Sequence, residues 1–308
     1  MKTFGATCLI LLSFLVTSAQ PIQQQLTAFD TALSKGNYTQ ARLLAEKIYP
    51  DISRIVNDTA RVDFLSSFGS VCYRLNDYSN AATYFQQAMD QAKSTTGEQE
   101  YRYPLAQFNL ASCYKELGRY AEAEPLFLQS LPPLAPVFGQ SSVQYTRCFY
   151  TLGSMYVDMG KYDAAEIMCA AAVNFYKVIL GDTSEDYLGA LGTMGVIYQG
   201  QAKYDKAEEI FLSLKEYHAA RPSPDHSVLQ TLENNLGELY RHMADYERAE
   251  PALEHAVQLA GNTEAAAISL NNLALVQKAL GKYAEAEASF KKALQIYIAA
   301  GKNKHPDY

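Results

Sequence analysis

The sequence lacks the short motifs that mark many enzyme active sites and structural metal sites. It contains no HExxH, no glycine-rich phosphate loop, no GxSxG and no CxxC. Its five histidines are scattered along the second half of the chain, at His218, His226, His242, His255 and His305. Zinc sites and redox dithiols depend on closely spaced cysteines or histidines. We therefore predict that the protein is not an enzyme and needs neither a metal nor another cofactor.

An excess of positive charge is also missing. The chain has 26 lysines and arginines against 33 aspartates and glutamates, a net charge of -7. Loss of Lys2 with the leader segment described next would leave 25 - 33 = -8. Proteins that bind nucleic acid normally present a basic surface to the phosphates. We therefore predict that nucleic acid is not a partner.

Strongly apolar runs are confined to the N-terminus. Lys2 precedes the run CLILLSFLV at Cys8–Val16, and the small residues Thr17, Ser18 and Ala19 follow it. This order is typical of a secretory signal peptide. The strongly apolar run is much shorter than the ~20 residues of a spanning helix. We predict cleavage after Ala19, a secreted or periplasmic protein, and no membrane association after cleavage.

Four cysteines follow the leader segment, at Cys72, Cys113, Cys148 and Cys169. Each falls at an apolar position of a predicted helix, which favours small buried hydrophobic side chains. Cys72 and Cys113 occupy nearly matching positions in two neighbouring repeats. A disulfide between them is the alternative, because export would permit one.

The sequence is rich in one internal repeat. The pattern Tyr-x-x-Ala occurs seven times, and successive tyrosines are 40, 42, 42, 42, 42 and 37 residues apart. The tyrosines are Tyr38, Tyr78, Tyr120, Tyr162, Tyr204, Tyr246 and Tyr283. A nearly fixed period in this range indicates a solenoid of stacked helix pairs.

The segment Leu110–Leu131, LASCYKELGRYAEAEPLFLQSL, shows one unit clearly. It predicts two amphipathic helices with a tight turn at Gly118. The small residues Ala111 and Ala123 let the helices approach, and larger side chains such as Phe127 fill the space between them. One helix hairpin cannot bury enough apolar surface to be stable alone, so the units are expected to stack on one another.

This succession of a small residue, tyrosine, Gly-x-Tyr-x-x-Ala, an aromatic residue and alanine resembles the tetratricopeptide repeat. The 42-residue spacing and segments such as LNNLALVQKALGKYAEAEASFKKAL resemble the kinesin-light-chain subtype. The resemblance covers about residues 22–308 and implies an all-α fold, an α-α superhelix of about seven helix-turn-helix repeats. The predicted domains are a signal peptide at 1–19 and a solenoid at 20–308, with repeats at approximately 22–50, 62–91, 104–133, 146–179, 188–219, 230–259 and 267–300.

The resemblance also implies a binding surface. In this family the first helix of each pair lines a concave groove, where asparagine amides often hold the backbone of a peptide ligand. Asn109, Asn235 and Asn272 match that position, and an amide can both donate and accept. The alternative is that these asparagines hydrogen-bond a neighbouring repeat.

A second row of positions lies four residues after the small residue of each first helix. It carries Lys115, Arg241 and Lys278. Three cations in one row of an acidic protein suggest an acidic peptide or a terminal carboxylate as ligand. The alternative is that these charges are simply solvated.

We therefore expect an exported, non-catalytic protein–protein interaction scaffold that binds a peptide or protein partner in its concave groove. One alternative is a regulatory or sensor segment of a larger signalling or caspase-like protease system, whose catalytic domain is not in this chain. A third interpretation is a periplasmic protein with a small-molecule or glycan pocket. The final residues GKNKHPDY resemble the linker at Gly181–Tyr187, as if an eighth repeat would begin there. Self-association through the uncapped last helix is a further hypothesis.

Overall fold

The computed structural model describes residues 22–300. The predicted signal peptide and the GKNKHPDY segment lie outside the described residues. Within 22–300 every regular element is helical, with fourteen α-helices, one 3-10 helix and no strand. The α-helices form seven consecutive pairs, which confirms the all-α prediction of about seven helix-turn-helix repeats.

The chain divides into two compact units, Met1–Cys148 and Phe149–Tyr308. The division falls within α7, and each unit is described by itself. The helices are α1 Ile22–Ser34, α2 Tyr38–Ile48, α3 Asp58–Arg74, α4 Tyr78–Thr95, α5 Arg102–Glu116, α6 Tyr120–Phe138, α7 Val143–Asp158, α8 Tyr162–Leu180, α9 Glu185–Gly200, α10 Tyr204–Ala219, α11 His226–His242, α12 Tyr246–Ala260, α13 Glu264–Ala279 and α14 Tyr283–Ala299. A 3-10 helix, Tyr49–Arg54, follows α2 and was not predicted from the sequence.

The turns inside the pairs share one backbone geometry. Each second helix begins at a repeat tyrosine, and the residue two positions earlier has a positive φ. Four of these seven residues are glycines, which adopt the left-handed region without steric cost. Ala202 and Ala244 adopt it with φ of 57° and 58°, in the turns after α9 and α11. Alanine is strained in this conformation by roughly 1 kcal/mol or more.

Close contacts between the two helices of a pair explain the small residues of the repeat. A Cβ added to Gly195 would lie 2.5 Å from the ring of Phe211, so the side chain of α10 occupies that space. The same contact recurs in other pairs at the same offset along the chain: Gly69 with Phe85, Gly153 with Cys169, and Gly237 with Leu253. Phe211 and Leu253 are fully buried core residues. In these four pairs the glycine therefore lets the two helices close around a buried side chain of the second helix.

The four described cysteines are buried free thiols. The structure therefore has no bridge between Cys72 and Cys113. The cysteines lie in the core, as expected for small buried hydrophobic side chains. Burial raises the pKa of Cys72 to about 11 and that of Cys113 to about 12. Because the thiolate is the reactive form, these thiols are expected to be inert at neutral pH.

Two kinds of feature are absent from residues 22–300. None of the described helices is both long and apolar enough to cross a bilayer. In the same part of the chain, no group of three or more His, Cys, Asp or Glu side chains is arranged to hold a metal ion.

Candidate functional site

A groove of about 510 Å³ lies on the second unit. Its walls come from the first helices of three successive pairs, α7, α9 and α11, and Leu214 and His218 of α10 contribute to its lining. It is lined by Ser154, Val157, Asp158, Glu185, Leu188, Gly189, Gly192, Thr193, Val196, Leu214, His218, Ser227, Val228, Thr231, Leu232 and Asn235. Its size is within the range of ordinary ligand-binding clefts.

The lining combines apolar surface with hydrogen-bonding groups. Leu188, Leu214 and Leu232 are buried leucines that face it from three different helices. Thr193 is held in place because its hydroxyl lies 2.8 Å from the Tyr150 hydroxyl and donates to the Gly189 carbonyl oxygen at 3.2 Å. A mostly apolar cleft with a few fixed polar groups is the usual form of a binding site.

The charges at the groove are negative. Asp158 and Glu185 line it, and none of its described lining residues is a lysine or arginine. Glu185 Oε1 lies 3.0 Å from Arg221 Nη1, and both side chains are largely solvent-exposed. An exposed pair of this kind contributes little to stability. The lining therefore offers no cationic clamp for an acidic ligand.

Two glycines of α9 leave its backbone bare along the groove. A Cβ added to Gly189 would meet no atom within 4 Å, and one added to Gly192 would meet only Leu214 Cδ1 at 3.6 Å. Glycine inside a helix costs about 0.5–1 kcal/mol relative to alanine. At these two positions no contact within the described structure requires that cost.

His218 lies near the end of α10 and is 3% exposed. Its Nδ1 is buried and has no hydrogen-bond partner among the described residues. Its ring packs edge-on against that of Tyr217, with 5.3 Å between ring centroids. An unsatisfied buried polar atom costs about 1–3 kcal/mol, so it requires an explanation.

The six residues predicted to bind peptide are divided between the two units. Asn109 and Lys115 belong to the first unit, and the other four belong to the second. Asn109 is half-buried on α5 and makes no side-chain hydrogen bond within 22–300. Lys115 Nζ lies 3.2 Å from Glu116 Oε1.

The asparagines of the second unit have different environments. Asn235 lines the groove, and its amide makes no hydrogen bond to any described residue. Asn272 Nδ2 instead donates to Asn234 Oδ1 of the preceding repeat at 3.2 Å. At Asn272 the structure therefore shows the alternative role considered for this row, a bond between neighbouring repeats.

The predicted cations Arg241 and Lys278 are not among the residues that line the groove. Arg241 Nη2 is 2.8 Å from His242 Nε2 and 3.8 Å from Glu238 Oε1. Lys278 lines a separate depression on α13 and α14, beside Phe290 and Tyr283. Tyr283 is 70% exposed there. Self-association through this last pair stays a prediction.

Sequence reasoning missed Gly189, Gly192 and His218. His218 was noted only as one of several histidines without a motif, and the two glycines were not considered. A comparison of all first helices, position by position, would have identified the glycines, because no other first helix has glycine at both places.

The tetratricopeptide repeat family model matches residues 58–132, 145–214 and 228–299, more than half of the chain. The chain therefore belongs to the tetratricopeptide repeat family. No curated protein matches the sequence.

Solved structures share the fold. A tetratricopeptide repeat protein from Parabacteroides merdae is 17% identical with a TM-score of 0.63, over 90% of this chain and 94% of that one. A putative kinesin light chain with nearly identical TPR-like repeats from Podosopora anserina is 16% identical with a TM-score of 0.55, over 67% and 97%. NprR in complex with its cognate peptide NprX is 13% identical with a TM-score of 0.68, over 90% and 79%. NprR is a quorum sensor from B. thuringiensis.

Proposed function

We propose that this protein is an exported, non-catalytic interaction scaffold that binds an extended peptide segment of a protein partner in the groove of its second unit. The observation that carries the proposal is the groove itself. It spans three successive first helices and offers apolar walls together with amide and hydroxyl groups.

The polar groups suit a peptide main chain. The Asn235 amide is not used within the described structure and can both donate to and accept from a peptide unit. Thr193 lies on the neighbouring first helix, α9, and is fixed by its hydrogen bonds with Tyr150 and Gly189. The fold similarity to NprR, whose structure contains a cognate peptide, supports the same class of ligand.

The charges favour a neutral or basic peptide at this groove. The described lining supplies the carboxylates of Asp158 and Glu185 and no lysine or arginine, so it offers an acidic ligand no cationic partner and suits a lysine or arginine side chain at the rim better. The hypothesis of an acidic ligand is therefore not favoured at this groove.

Selection from a random peptide library tests the proposal. The purified chain serves as bait, and the Asn235→Trp variant, which fills the groove, is compared with it only after selection. Selected peptides should bind the unmodified chain and lose binding to Asn235→Trp. Asn235→Ala should weaken the affinity about three- to tenfold, the usual effect of one lost hydrogen bond.

Asn272→Ala is the matched control. Because the Asn272 amide bonds Asn234, its loss should lower the free energy of unfolding by about 1 kcal/mol and leave peptide affinity nearly unchanged. The proposal is wrong if no peptide is selected, or if selected peptides bind Asn235→Trp as tightly as the unmodified chain.

Export is tested separately. Mass spectrometry of the protein recovered from native cells should show a chain that begins at Gln20, in the periplasm or the medium. Recovery of a cytoplasmic chain that retains residues 1–19 would contradict the proposal.

A further inference from the structure

We propose that the groove contains a subsite for one aromatic side chain with a hydroxyl tip, the tyrosine side chain of a bound peptide. The subsite is formed by the bare backbone of α9 at Gly189 and Gly192, with Leu214 and His218 of α10 beside it. This inference rests on the proposed peptide-binding function and specifies what that groove recognises.

The glycines are particular to α9. The equivalent positions of the other aligned first helices all carry side chains: Asp63 and Ser66, Leu105 and Phe108, Arg147 and Tyr150, Thr231 and Asn234, Ile268 and Asn271. Gly195 and Gly200 of α9 are glycines because Phe211 and Tyr162 occupy the space of a Cβ. A Cβ at Gly189 would have open space instead, and one at Gly192 would make only ordinary contact with Leu214. Glycine in such a place allows another group to approach the helix backbone closely.

His218 is a second, independent sign of a ligand. The equivalent positions of five other second helices carry Ala92, Leu134, Tyr176, Ala260 and Tyr297. His218 is 3% exposed, lines the groove and has an Nδ1 without a partner in the described structure. A neutral imidazole nitrogen can accept from a hydroxyl or donate to an oxygen. A hydroxyl brought in by a ligand would satisfy this atom.

The residues around His218 determine which peptide side chain fits the subsite. Leu188, Val196 and Leu214 provide apolar contact for a flat ring, and His218 provides one polar partner. Tyrosine combines an apolar ring with one hydrogen-bonding tip. Phenylalanine would leave Nδ1 unsatisfied. A carboxylate would find no lysine or arginine among the described lining residues.

Two small probes test the subsite directly. N-acetyl-tyrosinamide and N-acetyl-phenylalaninamide are titrated into the isotopically labelled full chain, and affinities are read from amide chemical shifts. The tyrosine probe should bind at least about threefold more tightly, the effect of one hydrogen bond. Gly192→Val should abolish binding of both probes, since its side chain fills the space over Leu214.

His218→Leu should remove the preference between the probes while retaining binding of the phenylalanine probe. His242→Leu, which changes an exposed histidine outside the groove lining, is the control and should leave the preference intact. Thermal unfolding of each variant identifies any that fails to fold. If His218→Leu does so, His218→Gln replaces it and should retain part of the preference.

Equal affinities for the two probes, or a preference that survives in His218→Leu, would overturn the subsite. These outcomes are separable from failure of the proposed function. Library peptides that bind and are lost in Asn235→Trp, together with probes that show no preference, would reject the subsite and keep the function. A probe preference without any selected peptide would reject the function.

Discussion

Helix α9 carries glycines on two faces for opposite reasons. On its packed face, Gly195 meets the fully buried ring of Phe211, so nothing larger than hydrogen fits without movement. On its groove face, Gly189 has open space around it and Gly192 has only ordinary contact distance to Leu214. The same residue type therefore marks a filled space on one side and an unfilled one on the other. The difference teaches that a helical glycine is interpretable only from what a Cβ at that position would meet.

Substitution of a glycine on the packed face of α9 should change the free energy of unfolding most. Gly195→Ala forces a Cβ against Phe211, a core side chain with no free space, and overpacking of this kind costs about 1–3 kcal/mol. Denaturant unfolding should show that loss. Gly200→Ala should cost less, because the Tyr162 ring that it meets is partly exposed and can turn away. If Gly195→Ala were as stable as the unmodified chain or more stable, the distinction between the two faces of α9 would be wrong.

The groove face should respond in the opposite direction. Gly189→Ala and Gly192→Ala add a side chain to a helix interior without a clash, so each should raise the free energy of unfolding by about 0.5–1 kcal/mol. Peptide affinity should fall in the same variants. A stability gain combined with a binding loss is expected from a functional glycine and not from a structural one. Destabilisation by either change would show that these glycines also have a structural role.

Much of the fold followed from the sequence, because the repeat tyrosine, the small residue and the alanine are set by contacts inside each pair. Ala111 and Ala123 were identified as close-approach positions for that reason. The 3-10 helix Tyr49–Arg54 was missed, since it depends on tertiary packing. Tyr49 meets the ring of Tyr84 edge-on, with 5.2 Å between centroids.

The candidate site was less predictable. The position of Asn235 came from the repeat pattern, and the structure places it on the groove wall. The row of cations was expected to act together, but Arg241 and Lys278 have separate surroundings in the second unit. Side-chain direction and the partners supplied by neighbouring helices decide such placements, and sequence spacing alone does not give them.

The smallest expected change in stability at neutral pH comes from another packed contact, between Gly153 and Cys169. Gly153 lies against Cys169, and burial raises the pKa of that thiol to about 12. Its contribution to stability is fully present below about pH 9, the ordinary thiol value, and is lost as the pH rises towards 12. Between pH 8 and 11 the free energy of unfolding should decline more steeply for the unmodified chain than for Cys169→Ala.

Cys72→Ala, in the first unit, tests whether this behaviour is general for buried thiols, since burial raises the pKa of Cys72 to about 11. Gly192→Ala should keep the pH dependence of the unmodified chain, because it changes no titrating group. An identical pH dependence of the unmodified chain and Cys169→Ala would remove the thiol from this explanation.

The left-handed alanines have a mutational consequence. Ala202 and Ala244 occupy the turns that follow α9 and α11, two of the helices that line the groove. Alanine and glycine codons differ only at their second base, so relief of either strained turn is a single nucleotide change away. Laboratory selection for heat tolerance should therefore reach these two turns early, by a route that leaves the groove lining unaltered.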